Sequence, residues 1–258
     1  MLSTLKYRLG TKYQPLMDEC HEMNLSDFHA RGPEKWDQNN LQVYQASQVK
    51  PYVNGFCKLK AEKGSHKRMD KLWREFEKDC LLWETRRIIE PWEYLSGALE
   101  SKKRIDIHVP GRIVIECPMV QGAVGPSVWL FDEWHQDDMN DPLHRKGDHY
   151  FEIDIFESGP TLNKKQKCVY CSLHEGTGSD NRTHGGETIR GDFTKTHYYE
   201  LQWKDGVFYW LINGVLVMRR YVDLNKDVSP KLLVTLGVTQ GIPEDVVWKI
   251  QSIKYSGL

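Results

Sequence analysis

His149-Tyr-Phe-Glu-Ile-Asp-Ile-Phe-Glu-Ser-Gly-Pro160 sets apolar residues against acids in near-perfect alternation. Successive side chains of a strand point to opposite faces, so Phe151, Ile153 and Ile155 share one face and Glu152 and Asp154 the other. Strict alternation would next turn Phe156 toward the acids and Glu157 into the core. A buried, unpaired carboxylate is expensive. The stretch therefore implies one extra residue, a β-bulge, that returns Glu157 to the acidic face. Three acids on one face repel one another, which a strand serving stability alone avoids. At ~3.3 Å per residue the backbone keeps Glu152 and Glu157 about 13 Å apart, so the strand must curve for their carboxyl groups to converge.

Working outward, the two-residue period continues. Ile105, Ile107 and Val109 alternate with polar partners, and Pro110-Gly-Arg112 turns into Ile113, Val114 and Ile115. Val207-Phe-Tyr-Trp-Leu-Ile212 runs into Asn213-Gly214 and out through Val215-Leu-Val-Met218, a type I′ hairpin signal between apolar strands. Val53-Asn-Gly55 reads as a second hairpin turn, and Lys231–Val238 and Val246–Ile250 close the series. Many short strands without βα alternation predict an all-β, antiparallel two-sheet sandwich in one domain over residues 1–258. One segment departs from this period. Met69, Trp73, Phe76, Cys80 and Trp83 recur every three or four residues, which predicts a short helical insertion near residues 69–84.

The 258 residues, 30.2 kDa, suffice for one large core. A formal net charge of −1 excludes bulk electrostatics as the binding principle, so no nucleic-acid partner is expected. Apolar runs fall short of the ~18 residues of a membrane span. The stretch from Met1 to Cys20 holds no uninterrupted apolar segment, so no secretory signal is expected in it. Six cysteines in this length make no disulfide framework, and Cys20, Cys57, Cys80 and Cys117 are expected mostly as buried thiols. Between Asp132 and Glu157 nine acids face only Arg145 and Lys146. Such a stretch is either a solvated acidic loop or the frame of something that needs carboxylates.

Glycoside hydrolysis uses such a set: one carboxylate attacks the anomeric carbon, and another, kept protonated, protonates the leaving oxygen. Crowded negative charge supplies that proton by raising the pKa of the least stabilised carboxyl. The chain resembles glycoside hydrolase family 16, the concanavalin A-like jelly-roll endo-β-glycosidases, in its bulged branch. Glu152-Ile-Asp-Ile-Phe-Glu157 matches the branch motif Glu-Ile-Asp-x-x-Glu. Ser96-Gly-Ala-Leu-Glu-Ser101, Gly125-Pro-Ser-Val-Trp-Leu130, Val169–His174, Tyr198–Trp203, Phe208–Gly214 and Val246–Tyr255 resemble further family segments in the right order. The resemblance covers about residues 36–256, with 1–35 expected as an extension packed on the domain.

The resemblance implies Glu152 as nucleophile, Asp154 as its hydrogen-bond partner and Glu157 as acid/base. It further implies an endo-acting, retaining enzyme that cleaves a polysaccharide, a β-1,3-glucan or a galactan of agar or carrageenan type, with no cofactor. A non-catalytic lectin-like protein on the same fold and a transglycosylase are the alternatives. The implied substrate class points to extracellular action, secreted or phage-associated, and a monomer without a membrane partner is expected. Trp129, Trp134 and Tyr150 flank the acids in sequence and are the candidates to stack on sugar rings, while Trp203, Trp210 and Trp248 read as core. By the resemblance, His174 touches the sugar at the catalytic subsite. Cys168 and Cys171 point to opposite faces of a strand, so no zinc site with His174 is expected. Asp137–Asp141 offers oxygen ligands for a structural calcium but lacks EF-hand spacing, and a solvated loop is expected.

Overall fold

The computed structural model describes residues 20–31, 42–65, 93–120, 124–132, 149–158, 168–177, 180–224, 228–238 and 245–257. The expected helix over 69–84, Cys80, Trp134 and the 137–141 loop lie outside them. Among the described residues no helix is long and apolar enough to cross a membrane.

In chain order the strands are β1 (His21–Glu22), β2 (Phe28–Ala30), β3 (Gln42–Tyr44), β4 (Val49–Pro51), β5 (Cys57–Lys63) and β6 (Tyr94–Ser96). Then follow β7 (Ala98–Ser101), β8 (Gly111–Cys117), β9 (Val124–Asp132), β10 (His149–Glu157), β11 (Cys168–Thr177) and β12 (Asp180–Arg190). The series ends with β13 (His197–Lys204), β14 (Val207–Ile212), β15 (Val215–Tyr221), β16 (Lys231–Val238), β17 (Val246–Ile250) and β18 (Ser252–Gly257). Seven strands form one large sheet in the order β12-β11-β10-β9-β16-β7-β2, and six form the other in the order β1-β18-β8-β13-β14-β15. A smaller sheet runs β17-β5-β6-β3, with β4 paired to β5. Pairing is antiparallel in both large sheets. This is the antiparallel two-sheet sandwich that the alternation predicted, in the jelly-roll form that the resemblance implied.

Alternation decides which side chains are buried. On β8, Ile113, Ile115 and Cys117 are buried while Arg112, Val114 and Glu116 are half-exposed. Aromatic pairs join the two large sheets across the core: Phe151 to Phe208 at 6.3 Å and Phe156 to Tyr199 at 4.3 Å between ring centroids. Trp203, Trp210 and Trp248 are all core residues, and each indole N–H donates to a backbone carbonyl, of Val109, Asp154 and Pro118 respectively. Such a donor must find a partner when buried. Asn213 (φ 52°) and Gly214 (φ 75°) make the expected β14–β15 turn, and Asp205 (φ 51°) and Gly206 (φ 73°) make a second one between β13 and β14. Two successive positive φ values define the type I′ turn, whose twist matches that of the strands it joins. The Val53–Gly55 turn joins β4 to β5. Cys57, Cys117, Cys168 and Cys171 are buried free thiols, whereas Cys20 is half-exposed.

Candidate active site

β10 lies inside the seven-stranded sheet between β9 and β11, and it is bulged where the alternation broke. Asp154 stands opposite Trp129 on β9 and Ser172 on β11. Beyond it, Phe156 opposes Val128, and Glu157 opposes Tyr170, so β10 has spent one residue more than either neighbour. Ile155 and Phe156 are both buried, and Phe156 reaches Tyr199 and Trp248 of the core. Glu157 is thereby returned, partly exposed, to the face that carries Glu152 and Asp154.

A bulge takes backbone groups out of the ladder, and buried groups need other partners. Here the core supplies them. The Trp210 indole N–H donates to the Asp154 carbonyl at 2.8 Å, and the Cys171 thiol donates to the Ile155 carbonyl at 3.2 Å. The Ser158 amide donates to the Pro126 carbonyl at 3.0 Å just past the bulge. The bulge is held from inside the sandwich.

Directly paired residues on neighbouring strands share a face. Glu152 is flanked by Phe131 and His174, Asp154 by Trp129 and Ser172, and Glu157 by Ser127 and Tyr170. The Ser172 hydroxyl, fully buried, donates to Asp154 and lies 2.9 Å from His174 Nε2, which is itself 3.5 Å from Asp154 Oδ2. Tyr170 pairs with Thr188 on β12, and its ring lies diagonally over Gly186, which leaves it room. A Cβ there would stand 2.0 Å from the Tyr170 hydroxyl oxygen.

The electrostatics set the three acids apart. Burial first, then the charges of Asp154 and Glu152, push the Glu157 carboxyl up from 4.5 to about 8, with His174 opposing. The hydrogen bond that the imidazole donates to Asp154 raises His174 above its ordinary range, against burial, and the charges of Asp154, Glu152 and Glu157 act in the same sense. Glu152, Asp154 and His174 place ligand atoms within 4.8 Å of one another, the one such grouping among the described residues. That is one donor short of a structural zinc set. Cys171, aimed into the core, does not join it.

Trp129 therefore shares the acidic face, partly exposed, with its ring 5.2 Å from that of Phe131. Tyr150 belongs to β10 by its backbone, but its side chain, like Trp134, lies outside the described residues. Tyr170, Cys171, Ser172 and Trp210 lie within the quoted segments Val169–His174 and Phe208–Gly214, but nothing in those segments assigns them these partners. Further along the same face, Glu100 pairs in register with Leu233, which pairs in turn with Trp129. Glu100 is buried and accepts hydrogen bonds from both Arg31 and Lys231. Positions 31, 100 and 231 are brought together only by the strand order.

No protein-family model and no curated protein matches the chain by sequence. Solved structures do match. LamA of Z. galactanivorans, in complex with laminaritriose and laminaritetraose, is 16% identical, with a TM-score of 0.63 over 92% of this chain and 95% of that one. The glycoside hydrolase family 16 endo-glucanase of Bacteroides ovatus is 17% identical, with a TM-score of 0.64 over 91% and 96%. The laminarinase catalytic domain of Thermotoga maritima is 15% identical, with a TM-score of 0.59 over 93% and 100%. The chain has the jelly-roll fold of these glycoside hydrolases.

Proposed function

We propose that this chain is an endo-acting, retaining β-glycoside hydrolase of the family 16 kind, working as a single catalytic domain and a monomer on an extracellular polysaccharide. The supporting observation is the bulge that brings Glu157 onto the face of Glu152 and Asp154 and lifts its pKa to about 8. In the first step the Glu152 carboxylate attacks the anomeric carbon. Glu157, protonated at neutral pH, gives its proton to the departing glycosidic oxygen. The sugar is then an ester of Glu152. In the second step Glu157, now ionised, takes a proton from water as that water attacks the anomeric carbon and frees Glu152. Asp154, oriented by Ser172, is the hydrogen-bond partner of the nucleophile, and His174 contacts the sugar beside it. The Trp129 ring offers the flat apolar surface on which a sugar ring packs.

A β-1,3-glucan is the favoured substrate over a galactan, because two of the similar structures described above are named for laminarin chemistry. The test is the anomeric configuration of the first product from laminarin, read by proton NMR, together with azide rescue of Glu152→Gly. Retention in the wild type and an inverted glycosyl azide in the variant are expected. Inversion in the wild type, or no hydrolysis of any β-glucan or galactan, overturns the proposal.

A further inference from the structure

The small sheet turns a different chemistry outward. Lys58, at the centre of β5, is directly paired with Lys50 on β4 and with Lys249 on β17, which puts three lysines in one row across three strands. Leu59, Trp248 and Ile250, which alternate with them, are buried, so the row faces out. Lys50 and Lys249 are exposed and Lys58 is half-buried, with Nζ 4.9 Å above the centre of the Tyr52 ring. Like charges directly opposite each other destabilise a sheet. Here the repulsion occurs on both sides of one residue. Nor do carboxylates among the described residues relieve it. Glu62 and Asp245, the acids on this face, both go to Lys60, at 2.5 Å and 2.7 Å.

We infer that this lysine row, with Tyr52 beside it, is a second binding surface that holds an anionic polysaccharide apart from the chain being cleaved. Strands lie ~4.8 Å apart, so the ammonium groups recur at a spacing comparable to one sugar unit of an extended chain. A repeating carboxylate or sulfate can meet the row in register, and the Tyr52 ring offers a sugar face an apolar support. A nucleic acid fits less well. The chain has a net charge of −1 and so no long-range field to gather a duplex, and three cations make a short footprint for one. The acidic face of the seven-stranded sheet would repel an anionic polymer. The row gives such a polymer a separate place, which would hold the protein against a charged matrix while a neutral chain enters the site.

The test is native electrophoresis of the whole protein through gels containing alginate, carrageenan, neutral laminarin or duplex DNA. It reads binding independently of cleavage, so the proposed hydrolysis can fail while this inference stands, and the reverse. Retardation is expected in alginate or carrageenan, and which of the two is stronger separates carboxylate from sulfate recognition. About 0.5 M salt should abolish it, where the Debye length shrinks to ~4 Å. The triple variant Lys50→Ala, Lys58→Ala, Lys249→Ala should lose about tenfold or more in affinity while melting no lower than the wild type, because it loses a repulsion. A matching triple Lys→Arg variant should retain binding. The inference is overturned if neither anionic gel retards the wild type, if the alanine variant is retarded as strongly as the wild type, or if DNA binds as tightly as the polysaccharides.

Discussion

Glu157→Gln is expected to abolish activity and yet stabilise the protein at neutral pH. The structure gives the size of the gain. The Glu157 carboxyl sits near 8 in the fold against an ordinary 4.5, because burial and the charges of Asp154 and Glu152 disfavour its ionised form. Below about pH 4.5 folded and unfolded chains both hold this proton, and the group contributes nothing to the difference. As pH rises toward 8, the unfolded chain releases the proton while the folded chain keeps it, so the folded state loses ground continuously. The loss amounts to about 3 kcal/mol at pH 7 and about 5 kcal/mol above pH 8, at ~1.4 kcal/mol per pH unit. Solvent at this partly exposed carboxyl screens the effect, and ~1–2 kcal/mol at pH 7 is the working figure. Glutamine keeps the shape and cannot ionise. For a chain of this length the variant should melt about 3–6 °C above the wild type near pH 7, more near pH 8.5, and level with it near pH 4. Calorimetry across that pH series, beside a hydrolysis assay, reads both effects. A variant that is less stable than the wild type by the same amount at every pH would refute the reasoning, because Glu157 would then be a carboxylate stabilised by its surroundings.

Asp154→Asn removes the stronger of the two charges that raise Glu157, so the basic limb of the pH–activity profile should move down by about one unit; an unmoved limb would separate the two groups. Trp210→Phe keeps most of the core volume but leaves the Asp154 carbonyl without its indole donor, at a cost of about 1–3 kcal/mol in stability and a fall in kcat. Denaturant melting and kinetics would show both, and unchanged kcat would mean that the bulge holds without the indole. Trp129→Ala should raise KM for a long glucan about tenfold or more, with little change in melting temperature, since its ring is partly exposed on the acidic face. An unaltered KM would remove Trp129 from the binding surface.

Much of the fold is legible in the sequence because strands bury alternate residues, and the apolar runs around Ile113, Phe151 and Phe208 display that period openly. The break in the period at Phe156-Glu157 was equally legible: an acid due in the core forces either a penalty or a bulge, and the structure has the bulge. Asn213-Gly214 announces its hairpin by residue type. Asp205-Gly206 carries the same signal and makes the same turn, although only its Val207 side opens an apolar run. What holds the bulge was not legible. Trp210 and Cys171 look like any core residues, and their donors matter only because pairing leaves the carbonyls of Asp154 and Ile155 within reach. Ser172 is silent for the same reason, being one hydroxyl on a strand whose partner is known only from the register. The Arg31–Glu100–Lys231 group and the row of Lys50, Lys58 and Lys249 are products of strand order, which no local pattern encodes.

The most direct measurement is mass spectrometry of the protein after reaction with an activated 2-fluoro laminari-oligosaccharide, which forms the glycosyl ester and hydrolyses it slowly. A single sugar adduct on the peptide of β10, located at Glu152 and absent from Glu152→Gln, is the predicted result. An adduct at Glu157, or intact unlabelled protein alongside continued turnover of the natural glucan, would contradict it.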